Sequence, residues 1–137
     1  MTIPLPNPPV LSHIAHKTGT VSPIDKTTLW DMEERFWTSD AASAQTTTAT
    51  NAIMIFPYPP GILQGDQIWE HIKVRTGWRS IAMSERRVMR CGEVAMLSYR
   101  VSAEKAEVPI YEAFCASTYL YDAARWLRVS HQQTPVA

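Results

Sequence analysis

A single histidine lies in the last strand-like segment of the chain, where apolar residues give way to polar ones. This segment, RWLRVSHQQTPVA at residues 125–137, places His131 and Gln133 beyond its apolar half. Histidine changes its charge near neutral pH, so His131 could act as a general base or bind a polar ligand group. The alternative is a histidine that only completes the fold through a hydrogen bond to a neighbour.

A carboxylate that could pair with this histidine occurs in a helix-like segment, LWDMEERFWTS. Apolar side chains recur there at helical spacing, and Glu33 lies between Trp30 and Trp37. One interpretation places Glu33 at the edge of the apolar face. The other places it in a cavity, where burial would raise its pKa and where it would be the charge partner of His131.

Alternation along the predicted strands adds side chains that would share a cavity with His131. Successive strand residues point to opposite faces of a sheet, and the segments concerned are EVAMLSYRVSAEK, VPIYEAFCASTYLYD and RWLRVSHQQT. The ligand-binding residues selected in this way are Tyr99, Tyr111, Cys115, Ser117, Tyr119 and Gln133. The tyrosines could donate hydrogen bonds to a carbonyl or an oxyanion, or they could instead line a dimer face.

The same alternation sets the expected orientation of the last strand. It places Leu127 and Val129 on the face of His131, and it places Trp126 and Arg128 on the opposite face. The face of His131 would then be apolar at one end and polar at the other. This gradient is what we expect of a cavity wall that runs from a packed apex to a polar mouth.

Two amphipathic segments predict the helices that must position these residues. The segment with Glu33 is expected to begin at a cap formed by Asp25 or Thr27. The second helix is expected over residues 65–75, GDQIWEHIKVR, with Asp66 as its cap. Between them, AASAQTTTATN predicts a short helix or a loop.

The remaining segments predict a sheet. AIMIFP at residues 52–57 is typical of a short buried strand, and four β segments with short connections follow from residue 78. Short connections favour antiparallel hairpins in sequence order, and helices before such a meander are typical of an α+β fold. A curled sheet wrapped around the first helix would leave a cone. Trp37, Phe56 and Trp69 would line its cavity or, in a purely structural module, fill it.

Composition limits the classes of protein to which the chain can belong. The 137 residues fit one domain, with a proline-rich arm at residues 1–25 and the folded domain at residues 26–137. Thirteen basic and thirteen acidic residues give no net charge, which argues against a nucleic-acid-binding surface. No apolar run approaches the length of a membrane span. The two cysteines lie outside any CxxC spacing and are expected to be reduced thiols, so we expect a cytoplasmic protein.

The candidate metal ligands and nucleophiles have weak support. His13 and His16 have a spacing that suits a metal only on a helix, and the prolines before them disfavour a helix. No metal and no cofactor is therefore expected. Cys91 and Cys115 are too few for a disulfide framework. Cys115 could act as a nucleophile beside His131, but no residue near it in sequence would lower its pKa, and buried thiols are usually inert.

The order of these motifs resembles a known superfamily. Six segments within residues 27–135 together resemble the nuclear transport factor 2-like superfamily, and most of all its SnoaL-like branch. They are LWDMEERFW, AIMIFP, GDQIWEHI, YRV, YEAFCASTY and RWLRVSHQQTP. The resemblance implies a cone-shaped pocket formed by a curved antiparallel sheet on three helices. It also implies a homodimer that pairs through the outer face of the sheet.

The resemblance implies several functions, because members of this superfamily include isomerases, cyclases, dehydratases, scaffolds and binding proteins. The first hypothesis is a dimeric domain that binds a small apolar or aromatic ligand in its cone. The second is a cofactor-free isomerase or dehydratase with His131 as general base and Glu33 as its partner. The third is a dimerisation module without a ligand. The acid–base sets of the enzymes are incomplete in this sequence, since the predicted strands contain no aspartate and Asp122 belongs to a predicted turn.

Overall fold

Helices precede a long meander of strands, as the sequence predicts. The computed structural model describes residues 18–73 and 78–136. Its elements are β1 (Thr18–Gly19), α1 (Pro23–Thr38), α2 (Ala41–Thr46), β2 (Thr48–Ile55), β3 (Ile62–Gln64), α3 (Asp66–Lys73), β4 (Ser80–Cys91), β5 (Val94–Glu104), β6 (Tyr111–Asp122) and β7 (Arg125–Pro135). His13, His16 and most of the predicted arm lie outside the described residues.

One curled sheet holds the strands in the order β1-β4-β5-β6-β7-β2-β3. From β4 to β7, each strand pairs antiparallel with the next, which confirms the hairpins predicted from the short connections. β2 pairs with β7 in parallel, and β3 pairs antiparallel with β2. The α+β class is therefore confirmed. The parallel pair of β2 and β7 was not predicted, because short connections indicate pairing only between strands that are neighbours in sequence.

The first helix begins earlier than predicted. Ser22 is its N-cap and accepts a hydrogen bond from the backbone N–H of Asp25, so neither Asp25 nor Thr27 is the cap. The proline-rich arm was predicted to extend to residue 25, but the helix already includes Pro23, because the first helical position needs no backbone N–H. Along this helix Leu29, Glu33 and Trp37 are buried and face the sheet.

The core lies between the helices and the inner face of the sheet. Leu29 packs with Leu97 and Tyr119, while Trp37 packs with Tyr99 and Cys115. A third cluster contains Ala52, Met54, Phe56 and Ile68 and joins β2 to α3. The predicted strand at residues 52–57 thus exists, although it begins four residues earlier at Thr48 and is followed by a short strand, β3, that was not predicted.

A bulge in β7 reverses part of the predicted alternation. Thr118 pairs with Ser130 while Tyr119 pairs with Arg128, so Val129 is an extra residue in the ladder. Trp126 and Arg128 are consequently buried on the inner face, and Leu127 and Val129 are not. The prediction for these four residues is wrong because a bulge shifts the alternation by one residue. His131 and Gln133, beyond the bulge, lie on the inner face as predicted.

Deletion of Val129 tests the importance of this bulge. Without the extra residue, either Arg128 or His131 must leave the inner face, since a one-residue slip moves side chains to the other face. We expect loss of a cooperative thermal transition, or a free energy of unfolding lower by more than about 3 kcal/mol, measured by circular dichroism. Deletion of Glu107, an exposed residue between β5 and β6, is the control. Equal stability of the two deletion variants would contradict the proposed importance of the bulge.

Candidate functional site

Glu33 is the centre of a fully buried polar network. Its carboxylate accepts three hydroxyl hydrogen bonds, each of 2.5 Å. Tyr99 and Ser117 donate to Oε2, and Tyr119 donates to Oε1. None of the Glu33 side chain is exposed, so both sequence-based interpretations of this residue, at the edge of an apolar face or on a cavity wall, are replaced by burial in the core.

Arg128 supplies a buried positive charge beside this carboxylate. Its Nε lies 3.7 Å from Glu33 Oε1, and both side chains are completely buried. Its two terminal nitrogens donate to Thr48 Oγ1 at 3.0 Å, to the Met32 carbonyl at 3.0 Å and to Tyr119 Oη at 2.8 Å. Strand alternation alone could not identify Arg128, because the bulge at Val129 brings it inward.

His131 connects this network to a glutamine. Its Nδ1 lies 2.7 Å from Ser117 Oγ and 3.3 Å from Glu33 Oε2. On the other side of the ring, Nε2 lies 3.1 Å from Gln133 Nε2, and Gln133 Oε1 accepts a hydrogen bond of 3.1 Å from Tyr111 Oη. The two predicted partners, His131 and Glu33, are therefore neighbours, but in the core and not across an open pocket.

The hydrogen-bond directions in this chain of groups are mutually consistent. Because Gln133 Oε1 accepts from Tyr111, its Nε2 must donate, and His131 Nε2 must accept. His131 then carries its proton on Nδ1 and donates to Ser117, whose own proton goes to Glu33. The imidazole is thus neutral in this arrangement, and both of its nitrogens are occupied.

The electrostatics of the network favour an ionised Glu33. Burial alone would raise its pKa, but the hydrogen bond with His131, the positive charge of Arg128 and the hydrogen bond from Ser117 together lower it below the ordinary value. The raised pKa that the cavity interpretation implied is therefore wrong. Burial, and then the nearby Glu33 charge, raise the pKa values of Tyr99 and Tyr119, so both phenols stay protonated as donors.

Cys115 is poorly suited to act as a nucleophile. Burial and the neighbouring Glu33 charge raise the pKa of its thiol to about 12. The thiolate is the reactive form of cysteine, and it is scarce at neutral pH when the pKa is so high. Within residues 18–73 and 78–136, no three histidine, cysteine or acidic side chains are grouped closely enough to hold a metal ion.

Two neighbouring cavities open above the network. The smaller one, about 240 Å³, is bordered by Phe36, Trp37, Ser39, Asp40, Ala41, Phe56, Ile72, Lys73, Trp78 and Gln133. The larger one, about 580 Å³, is bordered by Phe56, Pro57, Pro59, Pro60, His71, Trp78, Lys105, Val108, Pro109, Ile110, Tyr111 and Gln133. Phe56, Trp78 and Gln133 border both, so the cavities adjoin each other.

The predicted site residues divide into four groups. Four border the cavities, namely Trp37, Phe56, Tyr111 and Gln133. Four more form the buried network below them, namely Glu33, Ser117, Tyr119 and His131. Tyr99 is also bonded to Glu33, and with Cys115 it borders a separate cavity of about 250 Å³ beside Arg100 and Phe114. Trp69 packs against the third core cluster instead.

Trp78 and Lys105 border the larger cavity but were not selected from the sequence. Both lie at the ends of predicted strands or in their connections, where alternation gives no orientation. Their arrangement depends on contacts in the folded chain. Trp78 stacks on Tyr111 with ring centroids 5.7 Å apart, and Lys105 Nζ lies 4.6 Å from the centre of the Trp78 ring.

Comparisons with known proteins identify the fold. No protein-family model and no curated protein matches the chain. A candidate ketosteroid isomerase from Parabacteroides distasonis ATCC 8503 superposes with a TM-score of 0.70 at 15% identity, over 79% of this chain and 85% of that one. An NTF2-like protein from Cytophaga hutchinsonii ATCC 33406 gives 0.70 at 10% identity, over 85% and 100%. The CaMKII hub of S. rosetta gives 0.66 at 13% identity, over 86% and 100%.

These similarities show that the chain has the nuclear transport factor 2-like fold, as the sequence motifs predict. At these identities they define the fold alone. The names of these three proteins indicate different functions, so the fold does not identify the function of this chain. The narrower resemblance to the SnoaL-like branch stays a prediction. Among the described residues, no helix is long and apolar enough to cross a membrane.

Glu33→Gln tests the network. The amide cannot accept three hydroxyl hydrogen bonds as a carboxylate does, and it leaves Arg128 buried without its counter-charge, so we expect the free energy of unfolding to fall by about 3–5 kcal/mol at pH 7. Glu112→Gln, which removes the surface pair of Glu112 with Arg100 (3.6 Å), is the matched control and should cost about 0–1 kcal/mol. Urea unfolding followed by circular dichroism measures both values.

The pH dependence of this effect has a definite sign. The pKa of Glu33 is lower in the folded state than the ordinary value of 4.5, so its charge stabilises the fold above that pH. This contribution is lost as the pH falls below 4.5. The stability difference between the wild type and Glu33→Gln should therefore narrow on acidification, and a difference that widens would contradict the account.

Proposed function

We propose that the chain is a small-molecule-binding domain whose ligand is mostly apolar or aromatic. The observation that carries this proposal is the pair of adjoining cavities with shared walls of Phe56, Trp78 and Gln133. The larger one, about 580 Å³, is within the size range of small-molecule sites. Its walls are aromatic rings, prolines and aliphatic side chains with few polar groups, which is the composition that favours an apolar ligand.

Gln133 supports this proposal because it is a fixed polar group at the cavity wall. Tyr111 holds its carbonyl oxygen and His131 holds one of its N–H groups. A glutamine side chain offers two donors and two acceptor lone pairs, so one of each remains for a ligand. The buried network thus fixes an amide at the border of an otherwise apolar space, and it does so without a charge on His131.

Binding is better supported than catalysis. An isomerase or dehydratase that used His131 as general base would need Nε2 to reach the substrate, but Gln133 occupies this nitrogen and His131 is 1% exposed. Glu33 would act as a weak base because its pKa is lowered. The enzymatic alternative therefore requires Gln133 to move aside, whereas binding requires no rearrangement of the network.

The binding proposal is tested with N-phenyl-1-naphthylamine, a neutral apolar fluorophore. We expect its fluorescence to rise on binding to the wild type, and Ile110→Asp to weaken the affinity by about tenfold or more, because a carboxylate would be desolvated against the ligand. Ile62→Asp is the control, since Ile62 is more exposed than Ile110 (71% against 58%), lies on β3 and does not border the cavity. Equal binding by both variants, or no binding by the wild type, would contradict the proposal.

We also propose that two copies pair through the outer face of the sheet. Several large apolar side chains on that face are nearly half exposed, including Met89, Met96 and Phe114 at 43–47%. Met89 is paired directly with Met96 across β4 and β5, so these two side chains form one apolar patch. Contiguous exposed apolar surface of this kind is typical of protein–protein contacts.

Sedimentation velocity tests the pairing. The wild type should sediment as a dimer at micromolar concentration, and Met96→Glu should sediment as a monomer because a charge would be buried in the interface. Ile24→Glu, at an exposed position on α1 that is 79% accessible, should leave the dimer intact. A monomeric wild type, or a Met96→Glu variant that remains dimeric, would exclude this interface.

A further inference from the structure

The charges around the larger cavity are unevenly distributed. Among its described bordering residues, the ionisable side chains that can carry a positive charge are Lys105 and His71, and none is an aspartate or a glutamate. The rest of the border is apolar apart from Tyr111 and Gln133. The smaller cavity differs, because Lys73 is accompanied there by Asp40, whose Oδ1 accepts a hydrogen bond of 2.8 Å from the Ser43 backbone as the cap of α2.

Aromatic rings hold the Lys105 ammonium group at the cavity wall. Lys105 is half-buried, and its Nζ lies 4.6 Å from the centre of the Trp78 ring. Trp78 is in turn stacked on Tyr111, with an angle of 14° between the ring planes. A cation over an aromatic face gains about 0.5–1 kcal/mol or more, which favours this position over the many others open to a long side chain.

This arrangement is suited to an anion with an apolar body. An ammonium group next to apolar walls is partly removed from water, so a carboxylate that reaches it forms a stronger interaction than on an open surface. Phe56, Ile110 and the prolines can contact an apolar group, but their side chains cannot form an ion pair with a second charged group of the ligand. A neutral ligand of the same shape would leave Lys105 without this gain.

We infer that the ligand of this cavity is an amphiphilic organic anion, an aromatic or branched apolar group that carries a carboxylate, and that Lys105 selects the anion. This inference rests on the proposed binding function and specifies its ligand class. Lys105 contacts the carboxylate, while Phe56 and Ile110 contact the apolar group. Lys105 is thus a specificity residue, whereas the cavity walls supply the affinity shared by charged and neutral ligands.

A matched pair of probes tests the inference, namely 1-naphthaleneacetate and its neutral amide, 1-naphthaleneacetamide. Isothermal titration calorimetry should give the wild type an affinity for the acetate about tenfold or more above that for the amide, as expected of a charge-assisted hydrogen bond. Lys105→Met should lower the affinity for the acetate far more than the affinity for the amide, so that the preference is lost. Lys105→Arg should retain the preference because the charge is kept.

Lys26→Met is the control for loss of one positive charge, since Lys26 is exposed on α1, away from the cavity. Thermal unfolding of each variant checks that the fold is intact. Equal affinities for acetate and amide in the wild type, or a preference that survives Lys105→Met, would overturn the inference and leave the binding proposal standing. Failure of both probes to bind would overturn the two together.

Discussion

The ionised carboxylate of Glu33 is the interaction on which the arrangement of this site depends. This one buried charge joins α1 to three strands. Its partner Tyr99 lies on β5, Ser117 and Tyr119 lie on β6, and Arg128 lies on β7. A buried charge costs several kcal/mol unless it is paired and hydrogen-bonded. Each of these partners therefore restricts where the strands can lie, and the bulge at Val129 is what allows both Arg128 and His131 to face inward.

The same network sets the properties of the cavity above it. His131, fixed through Ser117, holds one end of the Gln133 amide, and Tyr111 holds the other. The charged groups remain in the core and the amide is presented at the cavity wall. This separation explains how residues typical of acid–base catalysis can occur in a domain that is better suited to binding. The fold itself occurs in proteins with different names and is therefore a poor guide to function.

The sequence predicted the fold well because the signals that determine it are local. Apolar spacing around Leu29 and Trp37 predicts α1, and short connections predict the hairpins from β4 to β7. The parallel pairing of β2 with β7 was not predicted, because no local signal specifies a contact between distant segments.

The site was predicted only in part. His131, Ser117 and Gln133 were selected correctly for the inner face, whereas Arg128 was assigned to the wrong face because a bulge leaves no trace in simple alternation. A raised pKa of Glu33 was one of two interpretations, and it is wrong because the number of donors around a buried carboxylate is not visible in the sequence. Trp78 and Lys105, in connections, have orientations that only tertiary contacts determine.

The central claim, that Glu33 is ionised in the folded core, is tested most directly by carbon-13 NMR of its side-chain carboxyl group. Disappearance of the signal in a Glu33→Gln sample assigns it, and its chemical shift is then followed as the pH is lowered. The account predicts that the carboxylate shift persists below pH 4.5, the ordinary glutamate pKa, until the protein unfolds. A carboxyl group that protonates at or above that pH in the folded protein would contradict it.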